Sequence, residues 1–341
     1  AAAQQLLLDD GLLAVRVMSV KGMDVTCRVE TGGKLTSHKG MNLPETHTTI
    51  SAISEKDRED LEFGIEQGVD WIALSFVRSA QDIRELRKLI ADYEKKKKIK
   101  RDAPIRVLAK IEKPEAVQVM NEIIAEVDGI MVARGDLGVE MPAAKVPIIQ
   151  KRLIQACLLA GKPVIVATQM LDSMIRNPRA TRAEISDVAN AVLDRTDATM
   201  LSGETATGAY PVEAVRTMSS AIQAVEESNL DESPLSIRLG QSSKEAMTNV
   251  ASLLARASNA KAIVVVTMSG NRAHLVSRYR PELPILAATP SERVMHHLNL
   301  SWGVEPCLIP SAKKTKDLIQ QTCETLIKNK WVKKGEELVV V

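Results

Sequence analysis

Four short apolar runs in this chain each finish in polar residues: VLAKIE at 107–112, GIMVARGD at 129–136, PVIVATQM at 163–170 and ATMLSGET at 198–205. Strands that repeatedly end in functional groups describe the mouth of an α/β active site. The steps from Lys110 to Asp136 to Thr168 to Ser202 are 26, 32 and 34 residues, which suits one strand, one helix and their loops per step. The expected architecture is therefore a (β/α) barrel, with the polar ends gathered on one face.

Composition excludes several classes of function. The 341 residues are 45 % hydrophobic, enough for one large domain and one smaller one. Charge is nearly balanced, 45 basic against 43 acidic side chains, so no global field attracts nucleic acid or an anionic membrane. Aromatic residues are only 2 %, too few for base-stacking platforms. No apolar run approaches the roughly 20 residues that span a bilayer, and no secretory leader is visible. Cys27, Cys157, Cys307 and Cys323 lie far apart without a C-x-x-C pair, which fits reduced thiols and a cytoplasmic location. The chain begins AAAQQ and stops at VVV within a strand-like run, so it reads as part of a longer polypeptide.

Three units are expected. Residues 6–42 alternate apolar and polar, punctuated by Gly11, Gly22 and Gly32-Gly33, which predicts a small antiparallel β unit in 1–42. In 43–227 helix and strand alternate: Ser54 precedes a helical stretch ending near Gly68, and WIALSF at 71–76 reads as a buried strand. Thr181 with Glu184 forms a capping box opening the helix of ISDVANAVL, and Pro211 marks another helix start. The polar stretch from Glu226 to Ser243 is the expected domain connection. In 228–341, helices at EAMTNVASLLARAS, HLVSRY and ERVMHHLNL alternate with strands AIVVVT and PILAAT, an independent open α/β sheet. The lysine run EKKKKIKR at 94–101 is read as a solvated loop, and His296-His297 as a helix surface feature rather than a metal site.

Residues two apart on a strand point the same way, so Lys110 and Glu112 should project together, as should Arg134 and Asp136 if strand geometry persists there. Asp136 could equally cap a short helix. Carboxylates from neighbouring strand ends, with no His or Cys nearby, suit Mg²⁺ or Mn²⁺ better than zinc. Beside Lys110, such a cation makes a positive centre for a phosphorylated, carboxylated substrate: a phosphoryl-transfer or enolate site. Lone residues of these types are usually surface ion pairs or local hydrogen bonders. Their recurrence in consecutive units favours function.

The segments AKIEKPEA (109–116), IMVARGDLGVE (130–140), ATQMLDSMIRNPRATRAEISDVANAV (167–192) and MLSGETATGAYPVEAV (200–215) resemble pyruvate kinase, collinearly from about Asp9 to the end. The resemblance implies phosphoryl transfer from phosphoenolpyruvate to ADP, giving pyruvate and ATP, the last step of glycolysis. It implies that Glu112 and Asp136 bind the divalent cation and that Lys110 neutralises the phosphoryl group and enolate. The backbone at Ala133, Arg134, Gly135 and Asp136 would hold the substrate carboxylate. Thr168 would take part in proton delivery to the enolate carbon through water, with Ser202 and Glu204 supporting that relay. Catalysis would be mainly positioning and charge stabilisation.

The family's barrel begins with three strands upstream of an inserted β lid. Their R-x-N-x-S-H and D-T-K-G segments, which supply K⁺ ligands, phosphate contacts and part of the nucleotide site, do not occur here. Residues 6–42 resemble only the return half of the lid, with Asp9, Asp10 and Gly11 matching its D-D-G signature. The expected fold is thus a partial TIM (β/α)8 barrel of about five C-terminal βα units, a β-rich lid remnant and a C-terminal open α/β domain. Its open edges predict that it neither folds stably nor turns over alone. Lys113-Pro114 and Ala180 depart from the family pattern without touching an expected ligand. NPRATR at 177–182 lies where family members make subunit contacts, which implies a homotetramer.

In VVTMSGNRA, 265–273, the strand, Ser/Gly-rich loop and helix order can form a phosphate nest. It aligns with the family's loop for sugar-phosphate activators, offering Thr267, Ser269, Gly270, Asn271 and Arg272 to a sugar-phosphate or nucleotide effector. Two rival functions share part of the pattern. A metal-dependent aldolase or lyase acting through pyruvate enolate has no reason to carry ATQMLDSM or the C-terminal unit. A non-catalytic regulatory relative would have a broken metal site, whereas Lys110, Glu112, Asp136 and Thr168 are all present.

Overall fold

The alternation in the first 42 residues becomes an antiparallel sheet of β1 (Gln5–Leu8), β2 (Leu13–Lys21), β3 (Asp24–Thr31) and β4 (Met41–Asn42), in the order β3-β2-β1-β4. Burial is confined to the first half of β2: Leu13, Ala14 and Val17 are buried, while Met18, Val20, Val25 and Val29 face solvent. The structure, a computed structural model, describes residues 4–9, 11–37, 39–44, 51–228, 230 and 243–341. Asp10 and most of the polar connection around residues 228–243 lie outside the described residues.

Beyond Ser54, whose side chain and Asp57 form a capping box at the start of the helix Glu55–Glu66, the period changes as expected. β5 (Trp71–Leu74), β6 (Arg106–Ile111), β7 (Gly129–Ala133), β8 (Val164–Ala167) and β9 (Ala198–Met200) form one parallel sheet in sequential order. Helices Ala80–Lys97, Val146–Ala160 and Arg182–Leu193 lie in the crossovers, and the helix Pro211–Glu226 follows β9. The sheet's faces divide by the period of two. Val107, Ala109, Ile111, Ile130, Val132, Val164 and Val166 bury against the helices in one large core. On the other face Leu108, Met131 and Ala167 form a small cluster with the partly buried Trp71, Ile165 and Met200. The inward face is the less covered because, among the described residues, β5 and β9 each have a strand neighbour on one side only.

The C-terminal unit is a second parallel sheet, ordered β12-β11-β10-β13, of β10 (Ala262–Val266), β11 (Ile285–Thr289), β12 (Val304–Leu308) and β13 (Leu338–Val340). Chain order reverses between β10 and β13, a topological switch point. β12 was not expected, because VEPCL breaks alternation with Pro306. The helix Thr315–Lys328 was not expected either.

Two surface readings need correction. The lysine run is not all loop: Lys95, Lys96 and Lys97 form the last turn of the helix Ala80–Lys97, where cations meet the negative end of the helix dipole. Only His296 is a surface residue. His297 is fully buried and packs edge-to-face on Trp71, with ring centroids 5.8 Å apart.

The C-terminal unit docks on the amino ends of the barrel strands through arginines and aspartates. Arg293 reaches Asp70 at 3.2 Å and the Val69 carbonyl at 2.7 Å. Arg106 joins Asp128 at 2.6 Å to the Ser269 carbonyl at 2.9 Å. Arg280 pairs with Asp197 at 3.0 Å, donates to the Arg195 carbonyl at 2.5 Å and stacks over the Trp302 ring. Burial pushes the Asp128 carboxyl up, but the Val107 amide and the Arg106 and Arg87 guanidiniums outweigh it and hold it below the usual carboxylate range.

The Arg280–Asp197 pair is almost wholly buried, so Arg280→Ala strands a carboxylate and should cost about 3–5 kcal/mol in denaturant unfolding of the full-length protein. An unchanged midpoint would show that the pair does not fasten the two units. Burial, reinforced by Arg106, pushes both His274 and His297 down from 6.5 to about 4. Both are neutral when folded and take up a proton on unfolding between these values. Stability is therefore complete above about pH 6.5 and falls toward pH 4, by up to about 3 kcal/mol per histidine. A pH series of unfolding midpoints, compared with His297→Phe, should show a shallower decline in the variant.

Candidate active site

All four predicted strand ends lie on the carboxyl side of the parallel sheet. On β6 the period of two holds: Lys110 Nζ lies 2.6 Å from Glu112 Oε1. Lys110 Nζ also donates to Ser75 Oγ at 3.0 Å. Ser75 follows β5, so a fifth strand end contributes. Its signal was available, since WIALSF is another apolar run closing on a polar residue. Glu112 is only 1 % exposed. Its Oε2 accepts from the Phe76 amide at 2.8 Å, and Phe76 holds a left-handed φ of 55°. A buried carboxylate requires such partners.

Strand geometry does not persist from Arg134 to Asp136. β7 stops at Ala133, and a helix, Arg134–Glu140, begins at once. Two residues on a helix subtend about 200°, so these side chains leave on different sides, contrary to the strand-based expectation. Nor does Asp136 cap this helix: Ala133 is the N-cap and Asp136 lies in the first turn. The Arg134 guanidinium turns to Asp187 at 2.6 Å and to the Thr168 carbonyl at 2.9 Å. Asp136 follows the strand next to Glu112, since β6 and β7 pair Ile111 with Val132.

Thr168, immediately after β8, has φ 70°, and Gln169 follows at 53°. For a β-branched residue this is a true outlier, and such backbone costs about 1–3 kcal/mol per residue. The Thr168 hydroxyl donates to the Ala167 carbonyl at 2.6 Å and accepts from the Gly135 amide at 2.6 Å. A Cβ on Gly135 would meet Thr168 Oγ1 at 3.3 Å and Thr168 Cβ at 3.4 Å, so glycine permits this approach. The Gly135 amide, expected to face substrate carboxylate, is engaged by Thr168 in this conformation.

Ser202 follows β9 as the N-cap of the short helix Gly203–Ala206. Glu204 is 2 % exposed and accepts from two backbone amides, Leu171 at 3.0 Å and Ser202 at 2.8 Å. It therefore ties the loop after β8 to the loop after β9. Glu184 likewise joins its capping box to Ser173, donating through neither oxygen but accepting from the Ser173 amide at 2.7 Å and hydroxyl at 2.6 Å.

A pair not singled out in the sequence is Lys113 with buried Glu140, which also accepts from Asn42 Nδ2 at 2.9 Å. It fastens the helix Arg134–Glu140 to β4. Partners so distant in sequence carry no periodic signal.

Among the described residues no group of three or more His, Cys, Asp or Glu is placed to hold a metal ion. The two carboxylates expected to hold a cation, Glu112 and Asp136, follow the adjacent strands β6 and β7. That set fits Mg²⁺, which typically takes one or two carboxylates and completes its shell with water and substrate phosphate.

The expected effector loop lies between β10 and the helix Asn271–Ser277, beside the switch point. Thr267 is buried and its hydroxyl accepts from the Gly270 amide at 2.9 Å, with Gly270 at φ 82°. Ser269 and Asn271 contact Arg106 through the Ser269 carbonyl and Asn271 Oδ1, while Arg272 is exposed.

Glu204→Ala would leave two amides without their acceptor and should cost about 2–5 kcal/mol of stability, read from denaturant unfolding. Glu204→Gln, which keeps one acceptor, should cost less. Equal and negligible losses would show that this carboxylate ties nothing.

Residues 1–215 match the family model described as pyruvate kinase, barrel domain, and residues 245–341 the model described as pyruvate kinase, alpha/beta domain. Pyruvate kinase 2 of Synechocystis is 46 % identical over 339 residues, covering 98 % of this chain and 56 % of the relative. A Mycobacterium tuberculosis pyruvate kinase is 45 % identical over 340 residues, covering 100 % of this chain and 70 % of the relative. A solved pyruvate kinase from Cryptosporidium parvum superposes with TM-score 0.90 at 36 % identity, covering 100 % of this chain and 71 % of that one. The chain thus spans between 56 % and 70 % of the length of these two curated relatives. With both domain models matched in order and similarity running along its whole length, this chain belongs to the pyruvate kinase family.

Proposed function

We propose that this chain carries much of the active centre for transfer of the phosphoryl group of phosphoenolpyruvate to ADP, giving pyruvate and ATP, the last step of glycolysis. The observation that carries the reading is Lys110 Nζ held 2.6 Å from nearly inaccessible Glu112, on a strand end beside Asp136. Lys110, steadied by Ser75, would neutralise charge on the transferring phosphoryl group and on the enolate it leaves. Glu112 and Asp136 would hold Mg²⁺ or Mn²⁺. When bound, the cation supplies Lewis-acid stabilisation of phosphoryl and enolate oxygens.

First-turn amides of the helix Arg134–Glu140 suit the substrate carboxylate. Thr168, fixed at both its donor and its acceptor contacts, would orient the water that delivers a proton to the enolate carbon. Ser202 and Glu204 support that turn. In this reading K⁺, the remaining phosphate contacts and the nucleotide site come from barrel strands outside these five. A cytoplasmic homotetramer is the proposed assembly, and the loop 267–272, at the switch point, is the proposed seat of a sugar-phosphate or nucleotide effector. Among the described residues no helix is long and apolar enough to cross a membrane.

Pyruvate formation by the full-length protein should require both ADP and phosphoenolpyruvate. Glu112→Gln and Asp136→Asn should each lower kcat/KM by about 100-fold or more and raise the Mg²⁺ concentration needed. Aldol cleavage without nucleotide, or Mg²⁺-dependent turnover unaffected by both substitutions, would overturn the assignment.

A further inference from the structure

Thr168 and Gln169 are successive non-glycine residues in the left-handed region, at φ 70° and 53°. Backbone of this kind persists only where its surroundings over-determine it. Here one guanidinium reaches both residues. Arg134 Nη2 donates to the Thr168 carbonyl at 2.9 Å and the Gln169 carbonyl at 3.4 Å, and lies 2.7 Å from Met170 Sδ. Its Nη1 is fixed by Asp187 at 2.6 Å and by Gln150 Oε1 at 3.4 Å. Asp187 stands on the helix Arg182–Leu193, whose start is set by the Thr181–Glu184 capping box. On the opposite side of the turn the Thr168 hydroxyl meets the Gly135 amide.

We propose that Arg134 and Asp187 are positioning residues, a clamp that holds Thr168 and Gln169 left-handed and thereby aims the Thr168 hydroxyl into the mouth of the site. The inference rests on the proposed role of Thr168 in proton delivery. Its physical content is the planar fork: two N–H groups of Nη2 reach successive carbonyls while Nη1 stays on a carboxylate, which a lysine ammonium cannot do in one geometry. Arg134 thus acts twice, its backbone opening the helix of the substrate site and its side chain setting the neighbouring turn. Asp187 is itself 37 % exposed, on the wall of a cleft of about 560 Å³ that also includes Gln169 and Asn190.

The clamp predicts a rescue that general loss of packing does not. Glycine adopts positive φ without steric cost, so Gln169→Gly lessens the turn's dependence on the clamp. In the full-length protein, Arg134→Lys and Asp187→Asn should lower kcat by up to about 100-fold, with KM for phosphoenolpyruvate changed far less. Amide hydrogen exchange at Gly135 should quicken by about tenfold in both. Gln169→Gly alone should stay within about twofold of the parent, and added to either variant it should recover much of the lost kcat. Should Arg134→Lys fail to fold, Asp187→Asn with and without Gln169→Gly still decides. Unchanged Gly135 exchange in Asp187→Asn, or loss of kcat that Gln169→Gly does not mend, would overturn the clamp. A parent protein without transfer from phosphoenolpyruvate to ADP would sink the proposed reaction, while faster Gly135 exchange in the variants would still support the clamp.

Discussion

Parallel pairing sends every carboxyl end of a sheet to one side and every amino end to the other, and each return must be made by a crossover. In this chain that constraint separates two kinds of polar chemistry within the length of one short strand. β6 enters at Arg106, which docks the C-terminal unit, and leaves toward Lys110 and Glu112, which face the candidate active site. β9 enters after Asp197, which binds Arg280, and leaves at Ser202, which is tied to Glu204. The strand interiors between these ends carry no charge, and in β6 they are apolar on both faces, so the two sets of charges stay apart.

At the amino ends a small repeat recurs: Val69-Asp70, Val127-Asp128 and Thr196-Asp197 stand just before β5, β7 and β9. Asp128 accepts from the Val107 amide and Asp197 from the Val164 amide, each closing the end of the preceding strand before it meets an arginine. The large hydrophobic clusters of the two units are separate, and the interface joins these ion pairs to a small apolar contact in which Leu300 and His297 pack against the cluster around Trp71. Buried ion pairs of this sort fix geometry more than they add stability, since desolvation cancels much of the Coulomb gain. The docking is therefore specific in register. It also brings the loop 267–272 into contact with the first residue of the strand that ends at the candidate metal site.

The strands facing the active site were legible because burial on both sides makes a parallel strand a short apolar word with a polar ending. The capping box at Thr181 and the helix start at Ser54 were legible because such signals are satisfied within four residues. β12 was not, since Pro306 interrupts VEPCL and its pairing to β11 decides the matter, not its own pattern. His297 was misread because an imidazole beside His296 gives no hint that Trp71, far away in sequence, will cover it. Arg134 shows the limit most clearly. Its place in the motif was evident, yet the switch from strand to helix at Ala133 redirects its side chain to Asp187 and Thr168, and nothing local in the sequence states that redirection.

A strained turn at Thr168 costs folding free energy, so its presence must be weighed against what a relaxed turn would give. An extended Thr168 would carry its hydroxyl off Gly135 and leave the amide at the head of the helix Arg134–Glu140 without that partner. That helix is fastened at its other end, where Glu140 meets Lys113 and Asn42. Asp136 lies between the two fastenings, and Lys113 directly follows Glu112. Lys110 and Glu112 are themselves set by contacts within the chain, so charge stabilisation there needs little further reorganisation. Left-handed backbone at a β-branched residue is the strain that remains when those contacts are all satisfied together, and the Arg134 fork is what keeps it from relaxing.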